Sequence, residues 1–195
     1  MGASLSFAGP LAGPNRLTRA LAKLERIPAF MRPWVRNWTL GRAVPFTGTA
    51  GLQFEQMTPV SVTVSLANRR PVQNHIQGVH AAAMALLAET TTGMVVGMNV
   101  RDDCLPLCKS MHIDFKRRAQ GGLRAVARLS PAQCELMQKN VKGEVSVLVE
   151  VTDESGAAPI QCEFIWAWIP APPRGAPGTA VQSGAMSSQA LSSTD

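Results

Sequence analysis

The chain contains no tyrosine, few aromatic residues of any kind (5%) and little charge, with only 16% of its residues Asp, Glu, Lys or Arg. Low charge beside 46% hydrophobic residues excludes a mainly disordered chain, and 195 residues suffice for one sizeable core but would crowd two domains. Acidic residues are the scarcer kind, 13 against 19 basic ones, which leaves a net charge of +6 and admits an anionic partner. Nucleic acid is not expected, because the four tryptophans lie in apolar or amphipathic stretches instead of alternating with the main basic cluster. The cysteines (Cys104, Cys108, Cys134, Cys162) are scattered, and Cys104 and Cys108 lack a second Cys or His pair at zinc-ligand spacing, so neither metal nor cofactor is expected. No stretch joins a charged start, an apolar run and a small-residue cleavage site, which points to a reduced, cytoplasmic compartment.

Residues 1–15 and 171–195 are rich in Gly, Pro, Ala and Ser and read as mobile ends. Between 16 and 42 the chain carries Arg16, Arg19, Lys23, Arg26, Arg32, Arg36 and Arg42 against Glu25 alone, with Leu17, Leu21 and Leu24 at helical spacing. This predicts a basic amphipathic helix that leads into a domain over 43–170. Such a segment also resembles a mitochondrial transit peptide, the alternative location, although Ile27, Phe30, Trp34, Val35 and Trp38 read as anchors a folded domain would keep. Recruitment to a membrane or an acidic protein is a third use.

From residue 50 the apolar period becomes two: Leu52 and Phe54, then Val60, Val62, Val64 and Leu66, broken at Thr58-Pro59. Residues 79–98 are apolar on nearly every side, which predicts a helix buried all round; Glu89 at its midpoint argues against a membrane span. After a turn at Arg101-Asp102-Asp103 and Pro106, alternation resumes at Met111, Ile113 and Phe115, and again from Leu123 to Leu129. Ser130-Pro131-Ala132-Gln133 has the form of a helix-capping box. Two further runs, Val145 to Val151 and Ile160 to Trp168, form a hairpin around the turn Asp153-Glu154-Ser155-Gly156. About six strands with one apolar helix after the second give an α+β domain whose sheet must curl around that helix.

Glu89 is the only ionisable side chain between His80 and Arg101. A carboxylate in a buried helix is costly when ionised, so its pKa is expected to rise toward that of a general base. Asn74 lies six residues before His80, and His80 nine before Glu89. The segment that reads Asn74, His75, Val79, His80, Ala81, Leu87, Ala88, Glu89 resembles the hotdog thioesterase superfamily. Together with residues 43–51 (AVPFTGTAG), 70–80 and 109–119 (KSMHIDFKRRA), it is similar to a branch related to the phenylacetate-pathway acyl-coenzyme A thioesterases, over roughly residues 20–170.

The resemblance implies a hotdog fold, a homodimer or dimer of dimers with a cleft shared by two protomers, and hydrolysis of an acyl-CoA or other acyl thioester. Asn74 would orient the carbonyl or the water and His80 would donate a hydrogen bond. The Ala81 N–H would polarise the thioester carbonyl, and Glu89 would act as general base or nucleophile. Lys116, Arg117 and Arg118, with Lys109, match the basic edge that holds the phosphates of coenzyme A. Two positions depart from the pattern: the usual Gly after the histidine is Ala81, and the hydroxyl residue one turn past the Glu is Gly93, with Thr90 and Thr92 near but out of place. These departures keep open a non-catalytic acyl-CoA or lipid-binding protein as the alternative.

Overall fold

The computed structural model describes residues 14–24 and 26–172, so most of the two Gly/Pro-rich ends (1–13 and 173–195) lies outside it. Asn15, expected in the mobile N-terminal end, is instead fixed, its Nδ2 donating to the carbonyls of Gly97 and Val100 at 2.7 Å each. The single basic helix expected over 16–42 is two helices, α1 (Arg16–Leu24) and α2 (Arg32–Ala43). Pro28 separates them, since it has no N–H to donate and disfavours helical backbone at the residue before it. Leu17 and Leu21 of α1 pack on the core, and Leu40 of α2 is buried, so this segment is part of the folded domain. The expected anchors divide: Ile27 and Val35 are half-buried, whereas Phe30, Trp34 and Trp38 are 84%, 67% and 55% exposed.

A short helix α3 (Pro45–Ala50) leads into β1 (Gln53–Thr58) and β2 (Ser61–Leu66). After a 3-10 turn (Arg70–Val72) come the central helix α4 (Ala81–Gly97), β3 (Cys104–Phe115) and β4 (Leu123–Arg128). Helix α5 (Pro131–Lys139), started by the expected Ser130/Gln133 capping box, precedes the hairpin β5 (Gly143–Asp153) and β6 (Ile160–Pro170). The six strands form one antiparallel sheet in the order β1-β2-β4-β5-β6-β3. Helix α4 touches all six, which a flat sheet about 25 Å wide would not permit; the sheet is wrapped around it as in a hotdog fold. Fully buried Leu87, Val95 and Val96 of α4 share one core with Val62, Val64, Val147, Phe164 and Trp168 of the sheet, each contributing about 1.5–3 kcal/mol by leaving water.

Strand β3 and helix α4 also differ from expectation. Strand β3 begins at Cys104 and runs through Pro106, because β3 is an edge strand paired only with β6 and an edge residue can lack its N–H. Helix α4 is not buried on all sides: Ala81 and Ala82 are exposed, and Ala85, Leu86, Glu89 and Gly93 half-buried, since the sheet's edges β1 and β3 are not joined over that face. A bulge between Cys108 and Ser110 shifts the alternation of β3, so that inward-facing Cys104 and Cys108 are followed by inward-facing Ile113. Met111 and Phe115 share that face with Ile113 and are exposed, extending the open stripe of α4.

Candidate active site

Asn74 opens a tight loop whose ends are joined by a Gln73–Val79 bridge. Its Oδ1 accepts from the N–H groups of Ile76 and Gly78, both at 3.1 Å, while its own N–H donates to Gly78 O at 2.9 Å. The carbonyl half of the side chain is thereby committed to the loop, and the NH2 half is the one able to address a substrate oxygen. Gln77 takes φ +60, the one positive φ at a non-glycine among the described residues, to close this loop. Arg118 holds it from outside, donating to Ile76 O at 2.8 Å.

His80 is the N-cap of α4 with extended backbone (φ −65, ψ 142), and its Nδ1 accepts from the Ala82 N–H at 3.0 Å. The proton of the neutral ring therefore sits on Nε2, a donor on an exposed side chain. The next two helical N–H groups, of Ala83 and Met84, go to His80 O. Ala81 alone in this first turn has an N–H without a partner, at the positive end of α4's dipole. A cleft of about 180 Å³ beside it is lined by Asn74, Gly78, Ala81, Met84, Phe115 and Arg118. On the other side of the helix start, a recess of about 260 Å³ has Phe46, Ala50, Gln73, His80, Ala83 and Leu86 among its lining residues. A larger recess of about 490 Å³ lies far from this constellation, under α1, where Asn15, Asn99 and Asp102 are committed to holding backbone groups or arginines.

Glu89 is half-buried, and burial raises its pKa above the ordinary carboxylate value; a hydrogen bond from Thr90 Oγ1 at 3.4 Å partly offsets this. Thr90, which sequence spacing set aside, thus supplies the hydroxyl on the carboxylate. Gly93 has a packing reason: a Cβ there would stand 2.7 Å from the Trp166 ring, whose Nε1 donates to Thr92 Oγ1 at 3.0 Å. Thr92 in turn donates to the Ala88 and Glu89 carbonyls, so its polar atom is satisfied inside the core. Ala81 and Glu89 lie on one helix eight residues apart, about 12 Å along its axis.

Residues 32–169 match a family described as a domain of unknown function, DUF4442. The chain belongs to this family. No curated protein matches it. Among solved structures, the DUF4442 chain resembles PA5026 from Pseudomonas aeruginosa, described as a protein of unknown function and probable thioesterase. The two are 23% identical over 70% of this chain and 95% of that one, with a TM-score of 0.63. Thioesterase PA1618 from the same organism, solved as a mutant, is 16% identical over 68% and 91% of the two chains, with a TM-score of 0.57. Thioesterase enzyme SAV0944 from Staphylococcus aureus is 15% identical over 65% and 100%, with a TM-score of 0.56. These likenesses establish the hotdog fold of the DUF4442 domain.

The predicted phosphate-binding group does not stay together. Lys109 sits in the β3 bulge, paired with Glu144, seven residues and roughly 20 Å along the strand from Lys116. Arg117 turns inward to Asp153, whose side chain is fully buried, at 2.6 Å. Lys116 pairs with Asp114 at 3.1 Å on the surface, and Arg118 faces the loop of Asn74. Burial pushes the Asp153 carboxyl up, but Ser155, the Gln120 N–H and Arg117 together hold it down at about 2. A carboxyl depressed in the folded state stabilises it above the unfolded pKa near 3.8, and that contribution fades as pH falls toward 2. Asp153→Ala in this DUF4442 domain is expected to cost about 2 kcal/mol in urea unfolding at pH 7, less than for a fully buried pair because Arg117 is 30% exposed. The deficit should shrink below pH 4; a deficit independent of pH would assign the loss to packing instead.

Proposed function

We propose that this protein is an acyl-thioester hydrolase whose site is completed by a second copy of the chain. The carrying observation is the unpartnered Ala81 N–H at the start of α4, flanked by the Asn74 amide and His80, with a half-buried Glu89 of raised pKa on the same helix. One reacting carbonyl cannot touch both the Ala81 N–H and the Glu89 of one chain, since about 12 Å separates them where contacts of about 3 Å are needed. A twofold pairing of α4 helices would bring Glu89 of one protomer to the helix start of the other. The open stripe of α4 and exposed Met111 and Phe115 of edge strand β3 supply an apolar surface for that pairing.

In this reading the thioester carbonyl oxygen takes hydrogen bonds from the Ala81 N–H and the Asn74 NH2. Glu89 removes a proton from water as the water oxygen bonds to the carbonyl carbon. The tetrahedral oxyanion collapses, the C–S bond breaks, and the proton on Glu89 passes to the departing sulfur, leaving acid and thiol. Lys116 and Arg118 are the basic residues to address phosphates of a coenzyme A carrier, since Arg117 is held by buried Asp153 and Lys109 lies roughly 20 Å away along the strand. The description of PA5026, PA1618 and SAV0944 as probable or actual thioesterases supports thioester chemistry. In SAV0944 the two positions solved as alanine mutants, a glutamine and a glutamate, are fifteen residues apart, the interval between Asn74 and Glu89.

The test is thiol release from a panel of short, medium, long and aromatic acyl-CoA substrates, with the oligomeric state measured alongside. Hydrolysis of one class by a dimer is the expected result. A folded dimer that binds acyl-CoA and releases no thiol replaces this reading with the acyl-binding one.

A further inference from the structure

The exposed aromatics of the N-terminal helices stand where the net charge of the chain resides. Residues 16–42 hold seven of the 19 basic residues and one of the 13 acidic ones; the remainder carries twelve of each and is neutral. On α2, beside the recess it forms with Gly48, Leu52 and Gln53, Trp34 and Trp38 stack with ring centroids 6.4 Å apart, and the Arg42 guanidinium lies 5.4 Å from the Trp38 centroid. Phe30, at the turn before α2, is the most exposed large apolar side chain of the described residues, and Met31 next to it is exposed as well. The other two tryptophans are buried and hydrogen-bonded, Trp166 to Thr92 and Trp168 to the Asn140 carbonyl.

We propose that this face docks on an anionic lipid bilayer, with Phe30, Trp34 and Trp38 entering the interfacial layer and Arg26 and Arg42 meeting lipid phosphates. An indole body suits the level of the headgroups, and basic residues around an apolar face add attraction to anionic lipid. Exposed aromatics among arginines also suit single-stranded nucleic acid, but base stacking needs an open ring face. Here Arg42 lies over the Trp38 ring, and Trp34 stands beside it nearly parallel (13° between planes). Phe30 and Met31, which no base would need, fit a bilayer. The proposal is independent of thioester chemistry.

The full chain is mixed with phosphatidylcholine vesicles, with or without about 30 mol % phosphatidylglycerol, and followed by flotation and tryptophan emission. Since Trp166 and Trp168 are shielded in the core, a blue shift, and quenching by brominated lipid, report on Trp34 and Trp38. Expected are flotation with anionic vesicles only, a blue shift, and loss of binding by about tenfold or more in both Trp34→Ser/Trp38→Ser and Arg26→Glu/Arg42→Glu, with unchanged melting. No flotation, or flotation without brominated-lipid quenching, overturns the proposal. So does an exposed pair already shielded from aqueous quencher before lipid is added, which would mean that protein covers this face, or tighter binding to a single-stranded oligonucleotide at the same salt.

Discussion

Glu89→Gln is expected to reduce thiol release by about a thousandfold or more while leaving the protein at least as stable as the parent at neutral pH. Glutamine keeps the shape and can still accept from Thr90 Oγ1, but it cannot take a proton from water. The stability half follows from burial, which raises the Glu89 pKa. A carboxyl whose folded pKa exceeds the unfolded one favours the fold fully below the unfolded value near 4.5, and that contribution is lost as pH rises through the folded pKa. Urea midpoints of parent and variant measured from pH 4 to pH 8 should therefore diverge in favour of the variant. A variant that keeps its activity removes Glu89 from the chemistry. A variant that is inactive but much less stable at pH 8 than at pH 4 would show that the charge is held by a partner, and the role of base would fail.

The repeating core was legible because the alternation of Val62 to Leu66, Leu123 to Leu129, Val145 to Val151 and Ile160 to Trp168 is a direct imprint of burial on one sheet face, whereas Val60 falls in the turn before β2 and is exposed. The spacing of Asn74, His80 and Glu89 was legible as well, since loop, cap and helix are consecutive in sequence. What escaped notice depended on distant contacts. The sequence offers no means of knowing that Asp153 draws Arg117 inward from 36 residues away, or that Trp166 fills the space in which a side chain at Gly93 would stand. The resemblance places a hydroxyl one turn beyond Glu89, while rotamer choice alone turns the neighbouring Thr90 toward the carboxylate. The exposure of Trp34 and Trp38 runs against the rule that large aromatics mark a core. It follows from their place at the rim of an open recess between α2 and the α3–β1 segment, which no described residue closes over.

Ala81→Pro should remove the proposed oxyanion donor without disturbing the helix, lowering thiol release by about a hundredfold to a thousandfold. Proline is favoured at the first helical position, and His80 already has the extended backbone that a following proline requires. The chain opens α3 and α5 on Pro45 and Pro131 at this same first position. Because the Ala81 N–H and Glu89 of one site come from different protomers in this reading, two inactive variants should rescue each other. A mixed dimer of Ala81→Pro with Glu89→Gln holds one site in which both defects fall together and one that has neither. Equal mixing after dissociation gives mixed dimers as half of the population, each with one working site, so activity should return to about a quarter of the parent value. If the mixture exchanges subunits and stays inactive, the N–H and the carboxylate do not meet across a dimer, and the 12 Å between them in one chain would have to be closed by a different nucleophile.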